Sequence, residues 1–409
     1  MENPLLRADI QPVPAMAGER QVITFIDPFR LTENSVAIDI RLFPLLRLLN
    51  GQHDLRDIQR AMTIHQEGQI ASLSEIETFI DHLDKAFLLN SVSFRKKMEE
   101  LREDFKSQQD RHPMLAGQSY ESDPDRLSRF IEEVESGLPQ SDSGSTEKNI
   151  TGILAPHIDI NVAKTTYINL YRQLKGKNYN LVIIFGINHQ PQDGLYSISE
   201  KNYITPFGKL KTDKAFISEL KMRIPREILS TDDFCHKIEH SIEFQTIFLH
   251  HYLKEPISIV PILCGGIQEF ILQKKNIFDD TRFLQTIEVL EEMIKDRNGN
   301  VLLVSGVDFS HVGPKFGHQM PADAILSRAK SNDQEIISSI LSGEAEKICE
   351  NAVKTVDQFN VCGLPSVLIF SRLLKGSEGK LLSHETYNER ATNSAVTYAS
   401  MIFTGGTQT

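Results

Sequence analysis

Four apolar runs, rich in β-branched residues, dominate the second half of this chain: residues 150–154, 181–187, 257–263 and 301–307. None of them alternates apolar with polar. A strand apolar at every position must be covered on both faces, which is the mark of a sheet sandwiched between helices. Stretches with helical periodicity lie between and after these runs, near residues 162–174, 215–222, 236–251, 278–295, 323–328, 333–341 and 364–374. The alternation predicts an α/β fold, with helices on both faces of a mostly parallel sheet. A last apolar run, residues 395–403, is expected as an edge strand. At 409 residues the chain is too long for one ordinary domain.

The first hundred residues read differently. Residues 1–20 carry three prolines and scattered charge before the first strand pattern and are expected to be disordered. Residues 21–25 and 36–40 read as short strands. Residues 42–49 form an apolar helix stopped by Asn50-Gly51, residues 54–62 a second helix, and Ser74 opens a third that carries Ile76, Phe79, Ile80, Leu83 and Phe87. Residues 21–95 therefore read as a small winged-helix-like α+β domain. In pattern it resembles the PqqD-like peptide-recognition modules, and that resemblance implies a peptide partner; a helical cap with no partner is the other reading. Residues 96–113 are strongly charged and read as a helical linker with a solvated face. A helix capped by Ser122-Asp123-Pro124 follows, then a loop over residues 139–146, with the main domain spanning residues 114–409.

Hydrophobic content of 40% and charged content of 24% suit a chain that buries a sizeable core. A net charge of −11 argues against general binding of nucleic acid. No apolar run reaches the length of a bilayer span, and the N-terminus lacks the apolar stretch of a secretory signal. The four cysteines, Cys235, Cys264, Cys349 and Cys362, are scattered without a CxxC pair, which predicts reduced thiols in a cytoplasmic protein.

The histidines fall where such a sheet would gather them. Three of the apolar runs end in Ala155-Pro156-His157, Asn188-His189 and Asp308-Phe309-Ser310-His311. Open α/β sheets bind ligands beyond the carboxyl ends of their strands, so parallel neighbours would bring these side chains together. A fourth cluster, His236-Lys237-Ile238-Glu239-His240-Ser241-Ile242-Glu243, places His236 four residues from His240 and Glu239 four from Glu243. Read as a helix, these pairs share a face. Imidazole and carboxylate together hold a first-row metal or move a proton near neutral pH. His236 to His240 also matches the H-x-x-E-H pattern of inverted zinc proteases, a reading that leaves the strand-end histidines idle. Cys235 and Cys264 are candidate pocket thiols, although such cysteines are more often inert packing.

From about Ala116 to Phe403 the chain resembles the MEMO family, whose microbial members are known as AmmeMemoRadiSam system protein B. The resemblance rests on Ala155-Pro156-His157, Gly186-Ile187-Asn188-His189, Thr205-Pro206-Phe207-Gly208, the His236 to Gln245 stretch and Asp308-Phe309-Ser310-His311, with Ala116-Gly117-Gln118-Ser119-Tyr120 as a worn opening motif. It implies the fold of class III extradiol dioxygenases and a non-haem metal, iron foremost and copper or zinc as alternatives. His157 and His189 would be metal ligands, and His240 an acid/base oriented by Glu239 or Glu243. Animal relatives carry a ligand cysteine where this chain shows Ser310, so the third ligand stays open among Asp308, Ser310 and His311. After His157, Ile158-Asp159-Ile160 replaces the family's Ala-Gly-Tyr, which puts Asp159 near the first ligand. The resemblance also implies association with radical-SAM and AMMECR-like proteins. A non-catalytic binding protein on the same fold is the alternative. His318 and His384 are expected in surface or packing roles.

Overall fold

The computed structural model describes residues 3–31, 36–65, 72–139, 149–190, 193–253, 257–297 and 301–405. The chain divides into two compact units, Met1–Ser107 and Gln108–Thr409. Most of the loop expected over residues 139–146 lies outside the described residues.

The first unit carries an antiparallel three-stranded sheet, Gln11–Ala17, Arg20–Ile26 and Ile38–Asp39, with helices Phe43–Leu46, Leu55–His65, Leu73–Lys85 and Val92–Ser107. Ile23, Ile38, Leu46, Ile58, Ile76 and Ile80 meet in its own core. The expected disorder of residues 1–20 is corrected here. Gln11–Ala17 pairs along its whole length with Arg20–Ile26, and Leu6 bridges to Leu89. The reason is Arg7, 3% exposed. Its guanidinium meets Asp9 at 2.6 Å and Asp27 at 2.8 Å, donates to Phe87 O at 2.8 Å and lies 4.3 Å over the Phe94 ring. Local charge pattern gives no hint of contacts so distant in sequence. The third helix begins one residue earlier than expected. Ser72, not Ser74, forms the reciprocal cap with Glu75. The expected linker also dissolves: its helix belongs to the first unit, while Gln108 onward belongs to the second.

In the second unit, β1 (Ile150–Ala155), β2 (Leu181–Ile187), β3 (Ser258–Cys264), β4 (Val301–Gly306) and β5 (Ser394–Thr404) form the centre of an 11-stranded sheet in the order β5-β1-β4-β2-β3. Neighbours from β1 to β3 are parallel, and every residue of β1, β2 and β4 is buried. One face packs on helices Ile160–Tyr171 and Ser241–Tyr252 through Ile153, Val182, Ile184 and Val304. The other packs through Leu154, Ile183, Phe185 and Leu303 on helices that include Thr281–Lys295 and Leu364–Leu373. β5 is antiparallel to β1 and is not an edge strand, because Glu378–Glu389, a strand the sequence pattern does not announce, pairs along its far side. The two helices expected near residues 323–341 are one, Leu326–Ser342, and Ala345–Thr355 is an additional helix.

Two further details set the site. A Cβ on Gly186 would fall 2.6 Å from Ser241 Oγ, and one on Gly306 2.6 Å from Ser241 O. These glycines let the start of helix Ser241–Tyr252 rest directly on the strand ends. The turn between Ala345–Thr355 and Leu364–Leu373 holds three non-glycine residues in the left-handed region, Val356, Asp357 and Asn360, at φ 51°, 44° and 50°.

Two outcomes follow. Arg7→Ala strips the partner from the buried Asp27 and should cost about 3 kcal/mol, seen as earlier urea unfolding of the first unit; an unchanged midpoint would refute its role. Burial pushes the Asp357 carboxyl up to about 6. The unfolded chain gives up this proton near pH 4, before the folded protein does, so the group lowers stability as pH rises through that interval. Asp357→Asn, better suited to the left-handed region, should therefore gain about 2 kcal/mol at pH 8 and flatten melting temperature between pH 4 and 6.

Candidate metal centre

Strand register aligns the site. Gly306 pairs with Ala155, and Ser305 pairs with Phe185. Asp308, His157 and His189 each stand two residues beyond the end of β4, β1 and β2. The rings of His157, His189 and His240 lie with centroids 5.1 to 5.4 Å apart.

Each strand-end histidine is oriented through its Nδ1. His157 Nδ1 donates to Gly306 O at 3.0 Å, and its backbone N–H donates to Asp308 Oδ1 at 3.0 Å. His189 Nδ1 donates to Glu239 Oε2 at 2.9 Å, and its N–H to Glu239 Oε1 at 2.7 Å. Both therefore present Nε2. The third group at this point is Cys362, whose Sγ lies 3.5 Å from His157 Nε2. Ligand atoms of His157, His189 and Cys362 all lie within 4.8 Å of one another; so do those of His189, Glu239 and His240.

Electrostatics favour neutral His157 and His240 beside one firm anion, Glu239. Burial would lower the His189 ring, but the charge and hydrogen bond of Glu239 outweigh it and raise the ring. Burial and the neighbouring His189 hold His157 down at about 3, and burial holds His240 at about 4. Burial would raise the Glu239 carboxyl, but His189 outweighs it and holds the group at about 2. Asp308 and the Cys362 thiol are pushed up by burial.

The sequence candidates separate clearly. His157, His189, His240 and Glu239 converge. Asp308 stands beside them, Oδ2 3.7 Å from His157 Nε2. Ser310 turns away and donates to the buried Asp333 at 2.6 Å, and His311 Nδ1 donates to Phe309 O. His384 also reaches Asp333, at 3.2 Å. Asp159 caps helix Ile160–Tyr171, and Asn188 is held by Cys264 O and Gln190 N. Burial lifts the Cys235 thiol to about 12, and Cys264 lies within the apolar core.

The stretch around His236 is not the expected helix. A 3-10 turn, Phe234–Lys237, precedes helix Ser241–Tyr252, with His240 at its N-cap, so His236 and His240 share no helical face. Both nitrogens of His236 are engaged, Nε2 donating to Ser197 O and Nδ1 accepting from Tyr203 Oη. Glu243 does not reach His240; it takes Tyr120 Oη at 2.6 Å, the N–H groups of Met114 and Leu115, and Arg111.

Sequence reasoning passed over Cys362 because it ends no strand. A usable signal existed: Cys362 directly precedes Gly363-Leu364-Pro365, the opening of a helix packed on the sheet. Proline in a first turn marks a helix start. Helices that cross over a parallel sheet can start at the edge where its strands end.

A Memo-like protein family model matches residues 111–402. A MEMO1 family protein of Aquifex aeolicus (strain VF5) is 32% identical over 398 residues, covering 97% of this chain and 98% of the relative. MEMO1 family proteins of Pyrococcus abyssi and Methanosarcina barkeri are 29% and 26% identical over 71% of this chain and 98% and 99% of their own lengths. The Aquifex relative thus matches the first unit as well, whereas the archaeal relatives are spanned by a part of this chain about as long as the family match. With its strand-end histidines on an extradiol dioxygenase-like α/β sheet, this chain belongs to the Memo-like family.

Proposed function

We propose that the second unit is a non-haem metal centre of a MEMO-type oxidoreductase, with His157, His189 and Cys362 as protein ligands. The observation that carries this reading is the approach of two oriented imidazoles and one thiol, one ligand atom from each lying within 4.8 Å of the others. Two imidazoles and a thiolate suit first-row metals, iron foremost here, with copper or zinc as alternatives. Such an ion would supply Lewis acidity and, for iron or copper, one-electron chemistry. The protein's own part is clearer. Gly306 O and Glu239 hold the two rings in the tautomer that leaves Nε2 open. His240, stacked on His189 and 3.9 Å from Glu239, is placed to take or return a proton on a small oxygen-bearing substrate. His236, with both nitrogens engaged, supports no protease reading.

A second reading, a partner- or peptide-binding protein, draws on the first unit, which the full-length Aquifex match includes. A place beside radical-SAM and AMMECR-like proteins is proposed on family resemblance alone. All four cysteines are free, which suits a reducing cytoplasm, and among the described residues no helix is long and apolar enough to cross a membrane.

Protein purified without oxygen and without a histidine tag should carry near-stoichiometric metal by plasma mass spectrometry. His157→Ala, His189→Ala and Cys362→Ala should reduce it to a trace, while His236→Ala should retain it. Wild-type protein that is metal-free and takes up no added iron, copper or zinc would overturn the proposal and favour the second reading.

A further inference from the structure

Arg111 is among the largest fully buried side chains, at 1% exposure, yet it bears a charge and stands outside the histidine cluster. Its position is fixed from below. Asp110–Arg111 forms a short strand pairing in parallel with Asn202 and Tyr203, and Asp110 is pinned by Lys209 at 2.6 Å and by Asn202 Nδ2 at 2.8 Å. From this edge the guanidinium reaches under the turn that leads into helix Ser241–Tyr252. Nε donates to His236 O at 3.0 Å, Nη2 donates to Glu239 O at 2.7 Å, and Nη1 pairs with the Glu243 carboxylate. The Tyr203 ring lies 5.3 Å from the guanidinium carbon.

The two carbonyls it holds bracket the residues between His236 and Glu239. Glu239 is the residue whose carboxylate grips His189 by both ring and backbone. We infer that Arg111 is a positioning residue of the metal centre: it fixes the Glu239 backbone, and through it the orientation of His189. This rests on the metal-centre reading above. A planar fork suits the task because three acceptors lie in three directions, which a lysine ammonium on a flexible stem cannot hold together. Glu243 completes the device. It neutralises the buried charge and ties Arg111 to Tyr120 and to the Met114 and Leu115 N–H groups. The segment from Arg111 to Tyr120 is thereby tied through Glu243 to helix Ser241–Tyr252.

The test uses the full-length protein, stripped of metal, and titrates Co²⁺ against a chromophoric chelator. Arg111→Lys should bind Co²⁺ about 10- to 100-fold more weakly, the range seen when groups behind a metal ligand are altered. Glu239→Gln should show a comparable loss, and the double variant should be no weaker than Glu239→Gln alone, because both act through one contact. Unchanged affinity in Arg111→Lys, or losses that multiply, would overturn the inference. If Arg111→Lys does not fold, Glu243→Gln replaces it. That variant keeps an acceptor for Tyr120 and Leu115 but removes the counter-charge, and the same non-additivity with Glu239→Gln is expected. Wild-type protein that binds no Co²⁺ would count against the metal centre itself. Crystals of the metal-free variant then decide the positioning role: a Glu239–His189 ring contact stretched from 2.9 Å to beyond hydrogen-bonding distance supports it, and an unchanged contact refutes it.

Discussion

The site depends on the register of strands that have no wet face. β1, β2 and β4 are buried at every position, so sliding any one of them by a residue would drive its side chains into the wrong layer on both faces. That constraint places Ala155 level with Gly306, and Phe185, near the end of β2, level with Ser305. His157, Asp308 and His189 follow at the same two-residue distance. Their convergence is a consequence of packing energy spread over the whole sheet.

This is why so much of the fold was legible. Unbroken β-branched runs report burial on both faces directly, and the residues after them inherit their placement. Legibility fell where structure depends on a distant partner. Arg7 looks like one charge in a polar tail, but its partners are Asp27, Phe87 and Phe94. Arg111 sits among residues that read as a charged connector, yet it is bound to carbonyls more than a hundred residues away. The strand Glu378–Glu389 mixes exposed and half-buried positions without regular alternation and carries five charged or histidine side chains, a pattern that carries no strong strand signal without β5 beside it.

The His236 to Glu243 stretch shows how a correct choice of residues can rest on the wrong geometry. Helical spacing groups His236 with His240 and Glu239 with Glu243. The chain instead makes a 3-10 turn and restarts at Ser241, because Gly186 and Gly306 bring the helix start down onto the strand ends. The four side chains then part company. Glu239 and His240 face the site, while His236 and Glu243 face Tyr203 and Arg111. Two carboxylates four residues apart thus take different work: Glu239 orients a ring, and Glu243 balances a buried cation.

Cys362 marks the limit of reading by strand ends. The histidines are delivered by rigid sheet, but the thiol is delivered by a turn with three left-handed residues, each of which costs of order 1 kcal/mol. The turn keeps its shape through contacts to the same neighbourhood. Asn360 Nδ2 donates to His311 O and Phe316 O, and Gly363 N donates to Asp308 O. Asp308 therefore has two structural duties besides standing near the centre: its carboxylate receives the His157 N–H, and its carbonyl receives the turn that carries Cys362. The Asp308-Phe309-Ser310-His311 motif holds the His157 backbone and the Cys362 turn in position, and the thiol that joins His157 and His189 lies some fifty residues further along the chain.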